Sequence, residues 1–427
     1  MSAAATDKTA SAARSFRAYW ALIALVVGLA LGAMIGTAES GARAEALGVA
    51  GFVGSLWLNA LKMTVIPLVV ALLIVGIAKG REAASGGIIA GRAVLWIVVI
   101  CTCSAIFGAA MITLLTRAFP LPRETAGALQ SALAGIEQST TPLPAIADFF
   151  KGIVPANVFG AATNGDVLPL VVFSILFALA LGSVSDHGRK AVVTLFEAVA
   201  DALLVIIGWV LWVAPLGVFA LAYTVGAAAG GSAFAGLGHY IVLISVIGIL
   251  VTLAAYPLAA VAGRVGLVRF AKGMIGPQAV AISTRSSLAS LPAMLTAART
   301  MGLREQVSDV ALPIAVALFR GTGPAMNTAV AFYAAHWLGY EPSLTQIIAA
   351  TAVGAVMSYG AVSLPGEVSF ISSIAPIAIA LGIPIAPLAL LVAVEMIPDI
   401  FRTVGNVTMD VAVTTAVDRS VPATAES

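Results

Sequence analysis

The sequence predicts an all-α polytopic membrane protein, and three observations support that prediction. The 427 residues are 60% hydrophobic and only 10% charged, whereas a soluble domain has about 25% charged residues. The mean hydropathy is +1.06. Several windows exceed the roughly 18 apolar residues that a helix needs to span a bilayer. The fold is therefore expected to consist of membrane-embedded helices.

Six continuous or nearly continuous apolar segments supply the first predicted spans. The basic N-terminal tail at 1–16 runs directly into the first of them without a clean cleavage site, so we expect that helix to be retained. Basic residues follow every second span, which predicts that the N-terminus and those loops face the cytoplasm. A long loop at 117–160 is expected on the opposite side. The predicted spans cover residues 17–37, 48–78, 89–116, 163–183, 192–227 and 237–262.

From about residue 263 the apolar segments become shorter and are interrupted by polar clusters. Backbone that leaves a helix at membrane depth is tolerated where it is buried in protein or lines a cavity, and such interruptions indicate binding sites in transporters. Segments 343–362 and 368–392 are joined only by a short turn, which predicts a hairpin that enters the membrane and returns. The alternative is that the clusters are ordinary loops outside the membrane. The clusters lie at 283–287, 320–324 and 363–367.

The last apolar segment contains three carboxylates, a guanidinium and an amide. At about 100° per residue, these groups fall within one helical stripe roughly 80° wide. A charge in hydrocarbon is costly, so it is expected to face a protein interior or a water-filled pathway. The stripe predicts a binding surface, and the alternative is an internal ion pair that holds helices together. Its members are Glu395, Asp399, Arg402, Asn406 and Asp410.

Other classes of protein fit these residues less well. The net charge of +2 is too small to suggest a nucleic-acid partner. The three histidines have no metal-ligand spacing, and Cys101 and Cys103 are expected to be packing residues rather than a disulfide or metal site. An aspartyl protease using Asp399 and Asp410 is disfavoured because these residues lie about 16 Å apart along one helix. The sequence therefore predicts neither an enzyme nor a resident metal.

Four motifs resemble those of the dicarboxylate/amino acid:cation symporters, the family that includes the glutamate and aspartate transporters. The segment Thr284–Pro292 resembles the serine-rich tip of that family's first re-entrant hairpin, and 363–366 resembles the tip of the second. The segment 399–410 is closely similar to the last helix, and 61–67 resembles the second span. The resemblance implies the glutamate transporter homologue fold: eight transmembrane helices plus two re-entrant helical hairpins, in a homotrimer.

The resemblance also implies domain boundaries. Helices 1–6 would occupy residues 17–262, with helices 1, 2, 4 and 5 forming a scaffold and helices 3 and 6 joining a transport domain. The transport-domain core is expected over 263–418 and a C-terminal tail over 419–427. The parts of that core are hairpin 1 at about 267–301, helix 7 at about 304–338, hairpin 2 at about 344–382 and helix 8 at about 386–418.

A role for each site residue follows from the same resemblance. Asp399 would hold a substrate ammonium, and the planar guanidinium of Arg402 would bind a side-chain carboxylate. Thr403 and Asn406 would hydrogen-bond the α-amino and α-carboxylate groups, while Asn406 and Asp410 would bind the cation. The hairpin tips would complete the site with Ser286, Ser287, Ser363, Pro365 and Gly366.

The chain departs from the family where relatives bind a cation. The family's Asn-Met-Asp-Gly-Thr stretch aligns without gaps to Phe319–Gly323, so the family's aspartate becomes Gly321 and its asparagine becomes Phe319. Arg320 adds a permanent positive charge, which predicts that it replaces the charge of a bound cation and lowers the number of Na⁺ ions coupled. Alternatively, Arg320 pairs with Glu367, and the two roles are compatible.

The predicted function is a secondary active transporter, a symporter that uses an elevator-type alternating-access mechanism. Its expected substrates are aspartate, glutamate or a C4-dicarboxylate, with Na⁺ or H⁺ as the coupling ion and no other cofactor. The alternative is an uncoupled channel or a transporter-like sensor that has lost cation coupling. The expected location is the cell (inner) membrane, where the protein is multi-pass with both termini cytoplasmic. Arg285 is expected either to serve the site or to pair with an acid across the core.

Overall fold

A computed structural model of the protein describes residues 20–34, 41–85, 87–122, 154–164, 166–360 and 366–422. These residues form helices and short connections, and they contain no β-strand. The all-α expectation is therefore confirmed for the described part of the chain. The expected N-terminal tail, most of the expected loop at 117–160 and the last five residues lie outside the described residues.

The described residues up to Val261 form eight α-helices. The longest of them, α2, continues beyond both ends of the predicted span at 48–78. The helices are α1 at Trp20–Met34, α2 at Gly41–Ser85, α3 at Ile88–Ala118, α4 at Val158–Asn164, α5 at Val167–Ala180, α6 at Asp186–Trp212, α7 at Ala214–Ala229 and α8 at Ser232–Val261.

Eight more α-helices follow α8 in the described residues. None of them exceeds the 25 residues of the last helix, in keeping with the interrupted apolar pattern of this part of the sequence. The helices are α9 at Leu267–Thr284, α10 at Ser287–Thr300, α11 at Glu305–Leu318, α12 at Gly323–Trp337, α13 at Leu344–Gly360, α14 at Gly366–Leu381, α15 at Ala386–Leu391 and α16 at Met396–Ser420.

The predicted span at 192–227 is divided into two helices in the structure. α6 ends at Trp212, and α7 starts two residues later with a proline, Pro215, in its first turn. Proline lacks a backbone N–H and suits the first turn of a helix, where that donor would have no helical partner. The proline therefore marks the start of a second helix.

Four of the described helices, α2, α3, α6 and α8, are long and apolar enough to cross a membrane. Shorter apolar helices include α1, α5, α7, α13 and α14. Large apolar side chains on the outer surface are exposed, among them Phe52 at 67% and Trp209 at 68%. Such a surface suits contact with lipid, and the helices are those of a multi-pass membrane protein. The exact number of spans stays a prediction.

Four helices, α3, α8, α12 and α16, form the centre of the molecule. α16 packs along α8, and α12 packs along α3. Gly108 allows the second contact, because a Cβ atom at this position would overlap the backbone of Ala325 on α12. Small residues let membrane helices approach closely. The large side chains of Tyr240, Tyr333 and Trp337 fill the interior beside these helices.

Two helical hairpins pack around this centre. α9 and α10 lie against each other and contact α16. The turn between them contains Arg285, whose φ of 49° and ψ of 38° are left-handed, and Ser286. This turn lies within the polar cluster at 283–287. The helices α13 and α14 form the second pair, and the residues that connect them, 361–365, lie outside the described residues.

Two further breaks bring non-helical backbone to α16. Residues 319–322 separate α11 from α12, and 392–395 separate α15 from α16. Phe319 and Thr322 in the first break are both buried. The fold thus directs one hairpin tip and two interrupted helices toward the polar face of α16.

Candidate functional site

The centre of the candidate site is the guanidinium of Arg402 on α16. Arg402 is 6% exposed, and the neighbouring Glu395 is 3% exposed. Nη2 of Arg402 lies 2.6 Å from Oε1 of Glu395, while Nη1 lies 3.8 Å from Oδ1 of Asp399. Within the described residues Nε of Arg402 has no hydrogen-bond partner. The buried Nε–H is therefore a donor that suits a ligand with acceptor oxygens.

Asp399 joins α16 to the tip of the first hairpin. Its Oδ2 lies 3.8 Å from Nη1 of Arg285 in the turn between α9 and α10, and its Oδ1 faces Arg402. Both separations are long for a direct charge-assisted hydrogen bond, which is about 2.7–2.9 Å. The Asp399 carboxylate thus lies between two guanidinium groups without being tightly bound to either.

Tyr240 on α8 contacts one of the same charged residues, although no motif of the sequence predicts it there. Its hydroxyl donates to Oε2 of Glu395 at 2.6 Å, and both residues are buried. A buried tyrosine hydroxyl usually has a hydrogen-bond partner. A tyrosine within a strongly apolar helix therefore indicates a buried polar contact. The sequence cannot specify the partner, because Glu395 is 155 residues away.

The non-helical stretch between α11 and α12 is fixed to α16 through Thr322. Its backbone N–H donates to Oδ1 of Asn406 at 3.0 Å, and its hydroxyl contacts the same oxygen. The hydroxyl also lies 2.6 Å from the carbonyl oxygen of Arg402. Asn406 therefore holds the stretch between α11 and α12 in place, and Thr322 is a site residue that no motif of the sequence predicts.

The remaining hydroxyl residues of the predicted site make local hydrogen bonds. Thr403 donates to the carbonyl oxygen of Asp399 at 2.9 Å. Ser286 caps α10 by accepting from the N–H of Ala289 at 3.2 Å. Ser287 is the first residue of α10 and is half-buried. Backbone N–H groups in the first turn of a helix attract anions, so this tip suits an anionic ligand.

The charged residues Arg285, Glu395, Asp399 and Arg402 form an ion cluster. Asp410 lies further along α16 than the members of this cluster on that helix. It is fully buried, and neither carboxylate oxygen has a hydrogen-bond partner within the described residues. Arg320, in the break between α11 and α12, interacts electrostatically with Asp410 and with Asp399. The carbonyl oxygen of the next residue, Gly321, accepts from the hydroxyl of Ser104 on α3. A fixed positive charge therefore acts on the carboxylate that was expected to bind a cation.

The predicted second tip falls largely outside the described residues. Ser363 and Pro365 belong to the undescribed connection, and Gly366 begins α14. The side chain of Glu367 also lies outside the description, so its pairing with Arg320 stays a prediction. In the described part of the chain, no three His, Cys, Asp or Glu residues are grouped so that they could hold a metal ion. Cys101 and Cys103 are free thiols.

Comparison with known proteins identifies the family to which the chain is related. The family model described as the sodium:dicarboxylate symporter family matches residues 18–420. The chain belongs to this symporter family. The family expected from the motifs of the hairpin tips and of α16 is therefore confirmed.

Individual relatives of this symporter include carriers of amino acids and of dicarboxylates. It is 28% identical over 387 residues to the proton/sodium-glutamate symport protein of Bacillus subtilis (strain 168), covering 90% of this chain and 89% of the relative. It is 28% identical over 404 residues to the proton/glutamate-aspartate symporter of Escherichia coli (strain K12), covering 91% and 89%. It is 27% identical over 411 residues to the C4-dicarboxylate transport protein of Laribacter hongkongensis (strain HLHK9), covering 93% and 87%.

These relatives are transport proteins, so the expectation of a transporter rather than an enzyme is confirmed. The family establishes a cation-coupled transporter in a membrane, and it does not favour the alternative of a channel or sensor that has lost coupling. The relatives named above differ in substrate and in coupling ion. The substrate and the coupling ion of this chain therefore depend on the individual residues of its site.

Proposed function

We propose that this symporter carries acidic amino acids and C4-dicarboxylates, and that Arg402 binds one carboxylate of the substrate. The main support is the buried guanidinium of Arg402, whose Nε has no partner among the described residues. A planar guanidinium binds a carboxylate through two parallel N–H donors. Because Glu395 contacts Arg402 through Nη2, the Nε–H donor is left for a substrate carboxylate.

Asp399 is proposed to bind the ammonium of an amino-acid substrate. Its carboxylate is separated by 3.8 Å from both Arg285 and Arg402, so an ammonium can enter its coordination without breaking a short hydrogen bond. A dicarboxylate offers no ammonium, and for that substrate the two arginines would offset the charge of Asp399. This arrangement accommodates both substrate classes found among the relatives.

Polar groups around this pair are proposed to complete the substrate site. Thr403 and Asn406 on α16 would meet the α-amino and α-carboxylate groups, and the tip between α9 and α10 would contribute Ser286 and Ser287. The connection between α13 and α14 would act as the lid that closes over the substrate. The proposed lid residues are Ser363, Pro365 and Gly366.

Cation coupling is proposed to depend on Asp410 and Asn406. We expect fewer bound cations than in a relative that keeps the Asn-Met-Asp-Gly-Thr stretch. Na⁺ prefers several oxygen ligands, and the break in this chain presents Phe319 and Gly321 instead of carboxylate or amide side chains. Arg320 acts electrostatically on Asp410 and would supply part of the positive charge that a bound ion supplies. Glu367 is proposed to take part in this charge balance by pairing with Arg320.

Transport is proposed to follow an elevator mechanism in a homotrimer with cytoplasmic termini. In this proposal α3, α8 and the helices from α9 to α16 move as a transport domain, and α1, α2, α5, α6 and α7 form the scaffold. The close packing of α12 on α3 and of α16 on α8 supports a common movement of those four helices.

Uptake into proteoliposomes tests the proposed function. We expect labelled aspartate and succinate to accumulate above equilibrium when a Na⁺ or H⁺ gradient is imposed, since coupling requires work against the substrate gradient. Protein-free vesicles and vesicles without an ion gradient are the controls. Equilibration without accumulation under both gradients would contradict coupled symport, and absence of uptake of any acidic substrate would contradict the proposed substrates.

A further inference from the structure

His239 lies where α8, α3 and α12 meet, outside the substrate site described above. Its Nδ1 is 2.8 Å from the hydroxyl of Tyr333, and its Nε2 is 2.7 Å from the carbonyl oxygen of Phe119, the residue that follows α3. We propose that His239 is a proton-binding site that controls, through Tyr333 and Tyr240, how strongly Arg402 binds acidic substrates. This inference rests on the proposed function and adds a regulatory proton to it.

The hydrogen bonds of His239 accommodate both charge states of the imidazole. A carbonyl oxygen only accepts, so Nε2 donates to Phe119 in either state. In the neutral ring, Nδ1 carries no proton and accepts from the hydroxyl of Tyr333. In the imidazolium, Nδ1 donates to that hydroxyl oxygen, and the Tyr333 O–H turns toward the carbonyl oxygen of Gly236, 3.1 Å away. Gaining a proton therefore reverses one hydrogen bond and breaks none at the ring.

The charged groups around His239 have opposing effects on the imidazolium. The carbonyl end of α3 favours a positive charge, because the helix dipole is negative there. Arg117, the basic residue in the last turn of α3, is exposed to solvent and opposes it weakly. His336 on α12 is half-buried and interacts electrostatically with His239. On α16, the nearest acid in the series of contacts that starts at His239 is Glu395. Histidine side chains ordinarily change charge between about pH 5 and pH 8.

A continuous series of contacts leads from His239 to Arg402. The ring centroids of His239 and Tyr333 are 5.6 Å apart, and those of Tyr333 and Tyr240 are 5.5 Å apart. The hydroxyl of Tyr240 donates to Glu395 at 2.6 Å, and Glu395 contacts Arg402 at 2.6 Å. Both tyrosines are fully buried, and close-packed interiors transmit small displacements.

The direction of the effect follows from the position of Glu395 between Tyr240 and Arg402. A proton on His239 adds positive charge on the Tyr240 side of this carboxylate. Glu395 is then attracted toward Tyr240 and away from Arg402. The guanidinium becomes more available to the substrate carboxylate, so acidic substrates bind more tightly at low pH.

Equilibrium binding of aspartate to the full chain in detergent micelles tests this linkage without an ion gradient. We expect aspartate affinity to be about tenfold higher near pH 5.5 than near pH 8, within the usual range of coupling between two sites. His239→Gln, whose amide can still donate to Phe119, should show a flat profile. His187→Gln, at the exposed start of α6, is the matched control and should keep the wild-type slope.

Histidine NMR supplies a second measurement that does not depend on affinity. The chain has three histidines, so the histidine variants assign the signals. Because coupling is reciprocal, a tenfold effect on aspartate affinity requires that saturating aspartate raise the titration midpoint of His239 by about one pH unit. In substrate-free protein, Tyr333→Phe should shift this midpoint, whereas Tyr223→Phe on α7 should not.

The outcomes separate this inference from the proposed function. A pH slope that persists in His239→Gln, or a midpoint of His239 that does not respond to aspartate, would overturn the linkage. If the wild-type chain bound no acidic substrate at any pH, the proposed function would fail. The NMR titration of His239 in substrate-free Tyr333→Phe protein would then decide whether the proton on His239 is linked to the Tyr333 hydroxyl. A midpoint of His239 that is the same as in the wild-type protein would refute the proposal.

Discussion

Replacing Arg402 with methionine tests the central assignment, because methionine keeps the unbranched apolar part of the side chain and removes the charged guanidinium. Arg402 contacts Glu395 at 2.6 Å and lies 3.8 Å from Asp399. A hydrogen bond to a charged group contributes about 1.5–3 kcal/mol, and a bidentate carboxylate makes two. We therefore expect Arg402→Met to lose at least about 3 kcal/mol of aspartate binding, which is about a hundredfold in Kd.

The variant also leaves a carboxylate in the interior, and a second substitution separates this effect from binding. Glu395 is 3% exposed, and an unpaired buried charge destabilises a fold by about 3–5 kcal/mol. The double variant Arg402→Met/Glu395→Gln should regain thermal stability while still failing to bind aspartate. Arg419→Met, at the exposed end of the same helix, should change neither property.

Isothermal titration calorimetry in detergent measures the affinity, and thermal unfolding measures the stability. Arg402→Met should also admit neutral amino acids such as serine, since the site no longer presents a charge that requires a second carboxylate. An aspartate Kd within about threefold of the wild-type value in a folded Arg402→Met protein would refute the assignment, because that ratio corresponds to less than about 1 kcal/mol.

Three further predictions concern other residues of the site. Asp399→Asn should weaken the binding of aspartate by about 3 kcal/mol and the binding of succinate much less, as measured by calorimetry. Equal losses of binding for the two substrates would mean that Asp399 has a structural role only. Wild-type aspartate binding should depend weakly on Na⁺, because Arg320 near a bound cation costs on the order of 4 kcal/mol at an effective dielectric of about 20. A Hill coefficient for Na⁺ approaching about three would contradict this expectation, and Arg320→Met should make the dependence steeper. Thr322→Val should lower the free energy of unfolding by about 1–2 kcal/mol through its lost hydroxyl bonds, and an unchanged unfolding temperature would show that these bonds contribute little.

Helical periodicity explains why so much of α16 could be predicted from the sequence. Residues three or four positions apart share one face of a helix, so the neighbourhood of Asp399 and Arg402 follows from their spacing. The tip between α9 and α10 is similarly local, since its polar residues are consecutive in the chain. In both cases the relevant atoms are connected by only a few residues of backbone.

The contacts between distant segments could not be derived in this way. Tyr240 meets Glu395 only because α8 packs along α16, and Thr322 meets Asn406 across 84 residues. Alignment with the family's Asn-Met-Asp-Gly-Thr stretch indicates that Arg320 and Gly321, between α11 and α12, are unusual. The same alignment indicates no role for the adjacent Thr322, because that role depends on how residues 319–322 pack against α16.

The ion cluster has a consequence for the half of the cycle in which no substrate is bound. A carrier that works by alternating access has to return empty, and an uncompensated charge is costly to hold in a low-dielectric environment. In their ordinary ionised forms, Arg285 and Arg402 balance Asp399 and Glu395, and all four are connected by the contacts described above. These four groups together therefore carry no net charge of their own. On the proposed mechanism, the empty carrier could reset without first acquiring a counter-charge from solution.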